Sequence, residues 1–174
     1  MTSATQDEFL AATLPALDLV YNLARRLVWD PTEVEDVVQE TYLRAFDAWA
    51  RRRRPRKVEP WMATICLNLG RTWIRRETAR RELAEREQHT SAVEEDLEEE
   101  AMRDLRSSAL HRALWELPAE QRIAITLMDL DGFTASESAR ITKAPRGTVL
   151  SRVHRGRKRL ASILRKEGAV HEEA

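Results

Sequence analysis

The chain has 174 residues, 33% of them charged, with 29 Asp and Glu balanced by 29 Lys and Arg. That length holds one ordinary domain or two small ones, and a single cysteine, Cys66, excludes an internal disulfide framework. No apolar run approaches the ~18 residues of a membrane span, and the acid-bearing N-terminus lacks the pattern of a secretory leader, so a cytoplasmic protein is expected.

The zero net charge conceals a segregation. Residues 1–50 carry nine acids and three bases, and residues 51–86 carry twelve bases and four acids. Residues 87–105 carry eight acids and one base, and residues 140–166 carry ten bases and no acid. Two basic blocks flanking an acidic one point to two anionic contact surfaces; solvated helix faces are the alternative for either block alone.

The first helical stretch is expected from about Asp7 to Trp29, with Leu10, Leu14, Leu17 and Leu27 apolar. Pro15 lies inside it and is an alternative starting point. Asp30-Pro31-Thr32-Glu33 is a helix start: Asp30 caps, Pro31 fits the first helical position and Glu33 suits the first turn. The next helix places Val34, Val37 or Val38, Thr41 or Tyr42, Phe46 and Trp49 on one stripe, with Asp36, Gln39 and Glu40 on another side. That acidic side is either a partner face or simply wet.

The arginine run at 51–57 contains Pro55 and is expected to be a loop. Pro60 opens the following helix, with Trp61, Ile65, Leu69 and Trp73 at spacings of four and Asn68, Arg71, Arg75 and Arg76 facing elsewhere. Cys66 lies in this apolar stretch and reads as a buried structural thiol. Residues 87–106 lose apolar periodicity and read as a flexible acidic linker. Nineteen extended residues reach roughly 65 Å, nearly two turns of duplex DNA at ~34 Å each.

The second unit starts at Ser107 or Ser108, with Leu110, Leu114 and Leu117 as a stripe. Ala119 to Leu130 reads as one helix, and Thr134 caps a short helix running to about Ile141. A turn holding Pro145 and Gly147 leads into a basic helix from about Thr148 to Lys166. The short helix, turn and longer basic helix have helix-turn-helix proportions. Val149, Val153 and Leu160 face inward, and Gly156 permits close packing. Thr148, Ser151, Arg152 and Arg155 then project outward near the helix start, where Arg, Ser and Thr suit base edges and phosphates. A helical hairpin that binds another protein is the alternative.

Three segments carry a family resemblance. Leu117-Pro-Ala-Glu-Gln-Arg-Ile-Ala-Ile-Thr-Leu, Asp129-Leu-Asp-Gly-Phe and Pro145-Arg-Gly-Thr-Val-Leu-Ser-Arg-Val-His-Arg-Gly-Arg together resemble the fourth region of extracytoplasmic-function (ECF) sigma factors, of the sigma-70 family. Glu35-Asp-Val-Val-Gln-Glu-Thr-Tyr-Leu-Arg-Ala-Phe and Pro60-Trp-Met-Ala-Thr-Ile-Cys-Leu-Asn-Leu-Gly-Arg-Thr-Trp-Ile-Arg-Arg resemble their second region. The resemblance implies an all-α fold of two small helical domains, at 1–86 and 107–168, with the acidic linker at 87–106 between them and a tail at 169–174. It implies an RNA polymerase sigma factor whose Asp36, Gln39 and Glu40 dock on core polymerase. Arg146, Thr148, Ser151, Arg152 and Arg155 would read duplex at the −35 element. Arg54, Arg56, Trp61, Asn68, Arg71 and Arg75 would capture the melted strand at the −10 element, although core packing is the favoured role for Trp61 and Trp73. An anti-sigma protein is the implied inhibitor.

The chain departs from the family pattern in places. Arginines fill 51–57 where the family more often has a short segment with Gly and Phe, and Leu150 stands where arginine is common. His89, His111, His154 and His171 are scattered; no phosphate loop, zinc motif or nucleophile motif appears. No cofactor, small-molecule substrate or membrane insertion is expected, and neither is enzymatic activity. His111 reads as a helix-surface residue. A stand-alone helix-turn-helix regulator is the competing reading, and it leaves the Asp36/Gln39/Glu40 face unused.

Overall fold

The computed structural model describes residues 3–51, 54–87 and 105–172, and every regular element among them is helical. The linker expected at 87–106 falls mostly on residues 88–104, which lie outside the described residues.

Helix α1 (Ser3–Thr13) and helix α2 (Leu17–Leu27) are separated by a 3-10 turn at Leu14–Ala16. The single helix expected to Trp29 is thus broken at Pro15, which cannot donate to the preceding turn. Thr13 marks the end of α1: Tyr42 donates its hydroxyl proton to the Thr13 carbonyl at 3.0 Å, pairing an oxygen the helix end leaves open. Helix α3 (Pro31–Ala50) begins where its cap predicts, with Asp30 accepting from the Thr32 amide at 2.8 Å. Its buried stripe is Val34, Val37, Thr41, Ala45 and Trp49; Phe46 is only half-buried.

Helix α4 (Val58–Glu87) starts ahead of Pro60, which sits harmlessly in the first turn. Its buried line is Met62, Ala63, Cys66, Leu67 and Leu69. The stripe expected through Trp61, Ile65 and Trp73 is corrected by about one position, and those three side chains flank the core half-buried. Ala63 and Cys66 are small enough to let neighbouring helices approach; the bulky rings find room only at the margin. The Cys66 thiol donates weakly to the Val20 carbonyl at 3.7 Å, and burial pushes its pKa up to about 12.

Helix α5 (Leu105–Trp115) starts before Ser107 and leads through Pro118 into α6 (Ala119–Ile125). The helix expected to run to Leu130 instead passes into a π-helical turn at Thr126–Leu130, closed by the Asp131 amide donating to the Thr126 carbonyl at 2.9 Å. Gly132, at φ 75°, turns the chain out of it.

Helix α6 is buried on three sides. Ile123 and Leu127 enter one core with Val20, Leu23, Leu27, Met62 and Leu67 from the front of the chain. Ile125 packs with Leu114 and Leu117, and Ala124 with Val149 and Val153. Phe133 and Ile141 also join the front core. The front and rear units therefore pack against each other: α2 lies on α5 and α6, and α4 lies on α7 (Ala135–Thr142). Helix α8 (Arg146–Glu172) continues past its expected end at Lys166 and includes Gly147 in its first turn.

Candidate nucleic-acid and polymerase interfaces

Helix α8, the basic helix of the expected helix-turn-helix, is positioned by two local devices on α7. Thr134 accepts from the Glu137 amide at 3.2 Å while Glu137 accepts from the Thr134 amide at 3.1 Å, a reciprocal cap on α7. Lys57 Nζ donates to the Glu137 carboxylate at 2.7 Å; with the bonds that carboxylate accepts from the Thr134 amide and from the Thr134 hydroxyl at 3.0 Å, it lowers the Glu137 pKa to about 2. At the other end of α7 the left-handed residue is Lys143, at φ 56°, so the tight turn is made ahead of Pro145 and Gly147.

Val149 and Val153 bury one face of α8. Gly156 brings that face against α6: a Cβ there would lie 2.7 Å from Ile125 Cδ1. The outer face expected is met at Ser151 and Arg155 and corrected at Arg152, which Glu120 draws aside. Arg146, Ser151 and Arg155 are exposed and Thr148 is half-buried. Ser151 donates to the Thr148 carbonyl at 2.9 Å and Arg155 Nε donates to the Ser151 carbonyl at 3.3 Å, laying Arg155 along the helix. Leu150, 39% exposed, adds an apolar spot beside them. Arg157 forms a two-pronged pair with Asp129 at 2.8 and 2.5 Å, which raises its pKa further. Arg152 turns away from the others and meets Glu120 at 2.8 Å.

The residues expected at a melted strand separate into two groups. Asn68, Arg71 and Arg75 share one side of α4, at spacings of three and four. Asn68 and Arg75 are exposed; Arg71 is half-buried and donates to the Thr142 carbonyl at 3.1 Å and to Glu120 at 3.3 Å. Trp61 lies at the start of α4, about 21 Å along the axis from Arg75, tilted against Trp49 with ring centroids 6.4 Å apart. Arg54 stacks over the Trp49 ring at 4.3 Å and pairs with Glu8, pinning the arginine loop to α1. Arg56 is exposed.

On α3, Asp36 and Gln39 are exposed, and Glu40 pairs with Arg44 at 2.7 Å. Leu43, one turn beyond Gln39 and 62% exposed, continues that side. Gln39 and Leu43 border a groove of about 450 Å³ floored by Phe9, Leu10, Tyr42 and Phe46. Its apolar side was hidden in the sequence, because Leu43 reads as one more residue of a packed helix.

Sequence reasoning also missed a seam between the two units. Trp29 stacks on His111 at 5.7 Å and meets Trp115 edge-on at 5.2 Å. Trp115 Nε1 donates to His111 Nε2 at 3.1 Å. His111 is thus half-buried and ring-packed rather than on an open helix surface, because α2 covers the face of α5 that carries it. Burial and the nearby Arg25, Arg26 and Arg122 lower its pKa. Arg122, 5% exposed, donates Nε to the Arg26 carbonyl at 2.8 Å and lies over Trp115 at 4.0 Å. Arg26 in turn pairs with Asp131 at 3.3 Å. Desolvation outweighs that pairing, and the Asp131 pKa is raised to about 6. Among the described residues no cluster of His, Cys, Asp and Glu could hold a metal, and no helix is long and apolar enough to cross a membrane.

A capped short helix, a tight left-handed turn and a basic outer face define a helix-turn-helix protein. The sequence matches Sigma-70 region 2 over residues 15–80 and Sigma-70 region 4 over residues 107–160. The ECF RNA polymerase sigma factor SigE of Mycolicibacterium smegmatis is 36% identical over 154 residues; the match covers 87% of this chain but only 60% of SigE. The ECF RNA polymerase sigma factor SigW of Bacillus subtilis is 31% identical, covering 92% of this chain and 90% of SigW. Among solved structures, the sigma factor RpoE in complex with the anti-sigma factor NepR from Bartonella quintana superposes with a TM-score of 0.70 at 28% identity, covering 91% of this chain and 97% of RpoE. CnrH, in complex with the cytosolic domain of CnrY, gives 0.60 at 25% identity over 92% of this chain and 87% of CnrH. The chain belongs to the sigma-70 family, among the ECF RNA polymerase sigma factors.

Proposed function

We propose that this chain binds core RNA polymerase and directs it to promoters, reading a −35 element as duplex and a −10 element as melted strand. One observation carries the reading: a single chain holds both sigma regions, with Ser151 and Arg155 exposed on one helix and Asp36 and Gln39 exposed on another. Arg146, Thr148, Ser151, Arg152 and Arg155 meet the duplex; the exposed members pair with phosphates or base edges. Asn68, Arg71 and Arg75, with Arg54 and Arg56 at the loop, hold the displaced strand through its phosphates. Trp61, packed on Trp49, serves that site as a wall more than as a stacking platform. Asp36, Gln39 and Glu40 dock on polymerase, with Leu43 contributing apolar area.

The domain division is 1–86 for polymerase and the −10 element, 107–168 for the −35 element, and 87–106 as the linker between them, leaving 169–174 as a tail. The factor supplies binding and strand separation, and the polymerase supplies the chemistry, so the chain is not itself an enzyme. It works in the cytoplasm. The complexes of RpoE with NepR and of CnrH with CnrY support an anti-sigma protein as its partner.

The test is transcription in vitro with core polymerase on a genomic library, mapping 5′ ends. Initiation at defined positions that depends on this chain is expected. If core enzyme and chain together yield no defined starts, the reading is wrong. DNA binding without co-purification of core polymerase would favour a stand-alone regulator.

A further inference from the structure

We propose that Leu150 is a specificity-determining residue of the −35 contact, reading the C5 methyl group of a thymine in the major groove. The proposal rests on the functional reading above, which lays the outer face of α8 against the duplex.

Val149, Val153 and Gly156 fix which way α8 faces, and Leu150 falls on its outer half. The Leu150 side chain is 39% exposed and enters none of the core clusters. It lies four residues from Arg146 and four from His154, both exposed, so the three share one flank of the helix. Ser151 and Arg155 form the adjoining strip. Among the described residues of α8 one other large apolar side chain is open, Leu164, about 21 Å farther along the axis.

A leucine side chain neither donates nor accepts a hydrogen bond, so it tells base pairs apart only by apolar fit. Of the groups that base pairs present in the major groove, the thymine C5 methyl is the apolar one. The position suits that group. In the helix-turn-helix arrangement the residues near the start of the second helix reach base edges, and Leu150 lies one turn into α8, which begins at Arg146. A docked protein fits less well. Apolar patches that bind proteins run to a few hundred Å², whereas Leu150 is bracketed on its flank by Arg146 and His154. One methyl-sized group buried against it changes an equilibrium constant about fourfold.

The assay is transcription in vitro by core polymerase with the full chain, on promoters found by mapping starts across an amplified genomic library. Amplified DNA carries no 5-methylcytosine, so every C5 methyl in it belongs to thymine. Each thymine of the −35 element is replaced in turn by deoxyuracil, which removes only the methyl. With wild type at subsaturating enzyme, one such replacement should lower initiation about fourfold. Leu150→Ala should use the thymine and deoxyuracil templates equally. Leu150→Gln, similar in size but polar, is the second variant and should behave in the same way. Leu150→Arg should prefer guanine at that position. If no thymine loses activity on demethylation, or if both Leu150→Ala and Leu150→Gln keep the loss, the proposal is wrong. A methyl effect seen only when 5-methylcytosine is introduced overturns the assignment to thymine. If core polymerase and chain never initiate, the polymerase reading has failed, and binding of the free chain to duplexes selected from a random pool decides. A methyl effect there that Leu150→Ala abolishes sustains the contact; its absence, or the absence of any selected duplex, overturns it.

Discussion

Gly156 offers the most discriminating test of how helix α8 is seated on α6. In Gly156→Ala the new methyl would lie 2.7 Å from Ile125 Cδ1, 3.2 Å from its Cγ1 and 3.4 Å from Gln121 Cβ. Comfortable carbon contacts are about 3.5–4.0 Å, and Ile125 is 2% exposed, so it has little room to retreat. Overpacking of this kind costs about 1–3 kcal/mol, set against about 1 kcal/mol gained from alanine's better helix propensity. A net loss of about 1 kcal/mol is expected. Ile125→Val removes the Cδ1 atom and alone costs about 0.5–1.5 kcal/mol. In the double variant the alanine methyl fills the space that Cδ1 leaves. The double variant should therefore be at least as stable as Gly156→Ala alone, a coupling of about 1–2 kcal/mol. Urea unfolding followed by far-UV circular dichroism gives the three differences. Simple additivity, or a full 1 kcal/mol stabilisation by Gly156→Ala, would refute the close approach of α6 and α8. It would also remove the basis for the outward orientation of Ser151 and Arg155.

Two further outcomes concern charge and capping. The Asp131 pKa is raised from 3.8 to about 6 by burial, so its contribution to the packed state is complete below the lower value and disappears as pH rises through the upper one. Asp131→Asn should therefore gain on wild type between pH 4 and 7, by about 3 kcal/mol at most, as read from paired denaturation curves; parallel curves would contradict the buried placement. Thr134→Ala should cost about 1 kcal/mol through the lost cap. The same change should raise the Glu137 pKa from about 2 toward the usual carboxylate range, seen in a side-chain NMR titration. An unmoved Glu137 would mean that the cap does not form in solution.

The chain's local grammar is written in the sequence. Asp30-Pro31 and Thr134 start helices where they were expected to, because a cap depends on residues two or three apart. The basic face of α8 was legible for the same reason: Val149, Val153 and Gly156 repeat at spacings of four and three, which leaves Ser151 and Arg155 outside. The order of two basic blocks around an acidic one was enough to suggest two contact surfaces.

Only tertiary structure decided which partners those elements meet. Ile123, Ala124 and Ile125 are adjacent in sequence yet enter three different clusters, since α6 has helices on three sides and periodicity reveals only that a residue is apolar. Trp61 and Trp73 moved to the margin because the neighbouring helices come close only over smaller side chains. Arg71 meets Glu120 across 49 positions, and Arg26 meets Asp131 across 105. Such pairs leave no local spacing to read: a surface arginine in a solvated helix and an arginine held against a facing carboxylate have the same neighbours in sequence. The chain encodes its helices through contacts within a turn or two, while the state in which those helices rest is set by burial shared between residues a hundred positions apart.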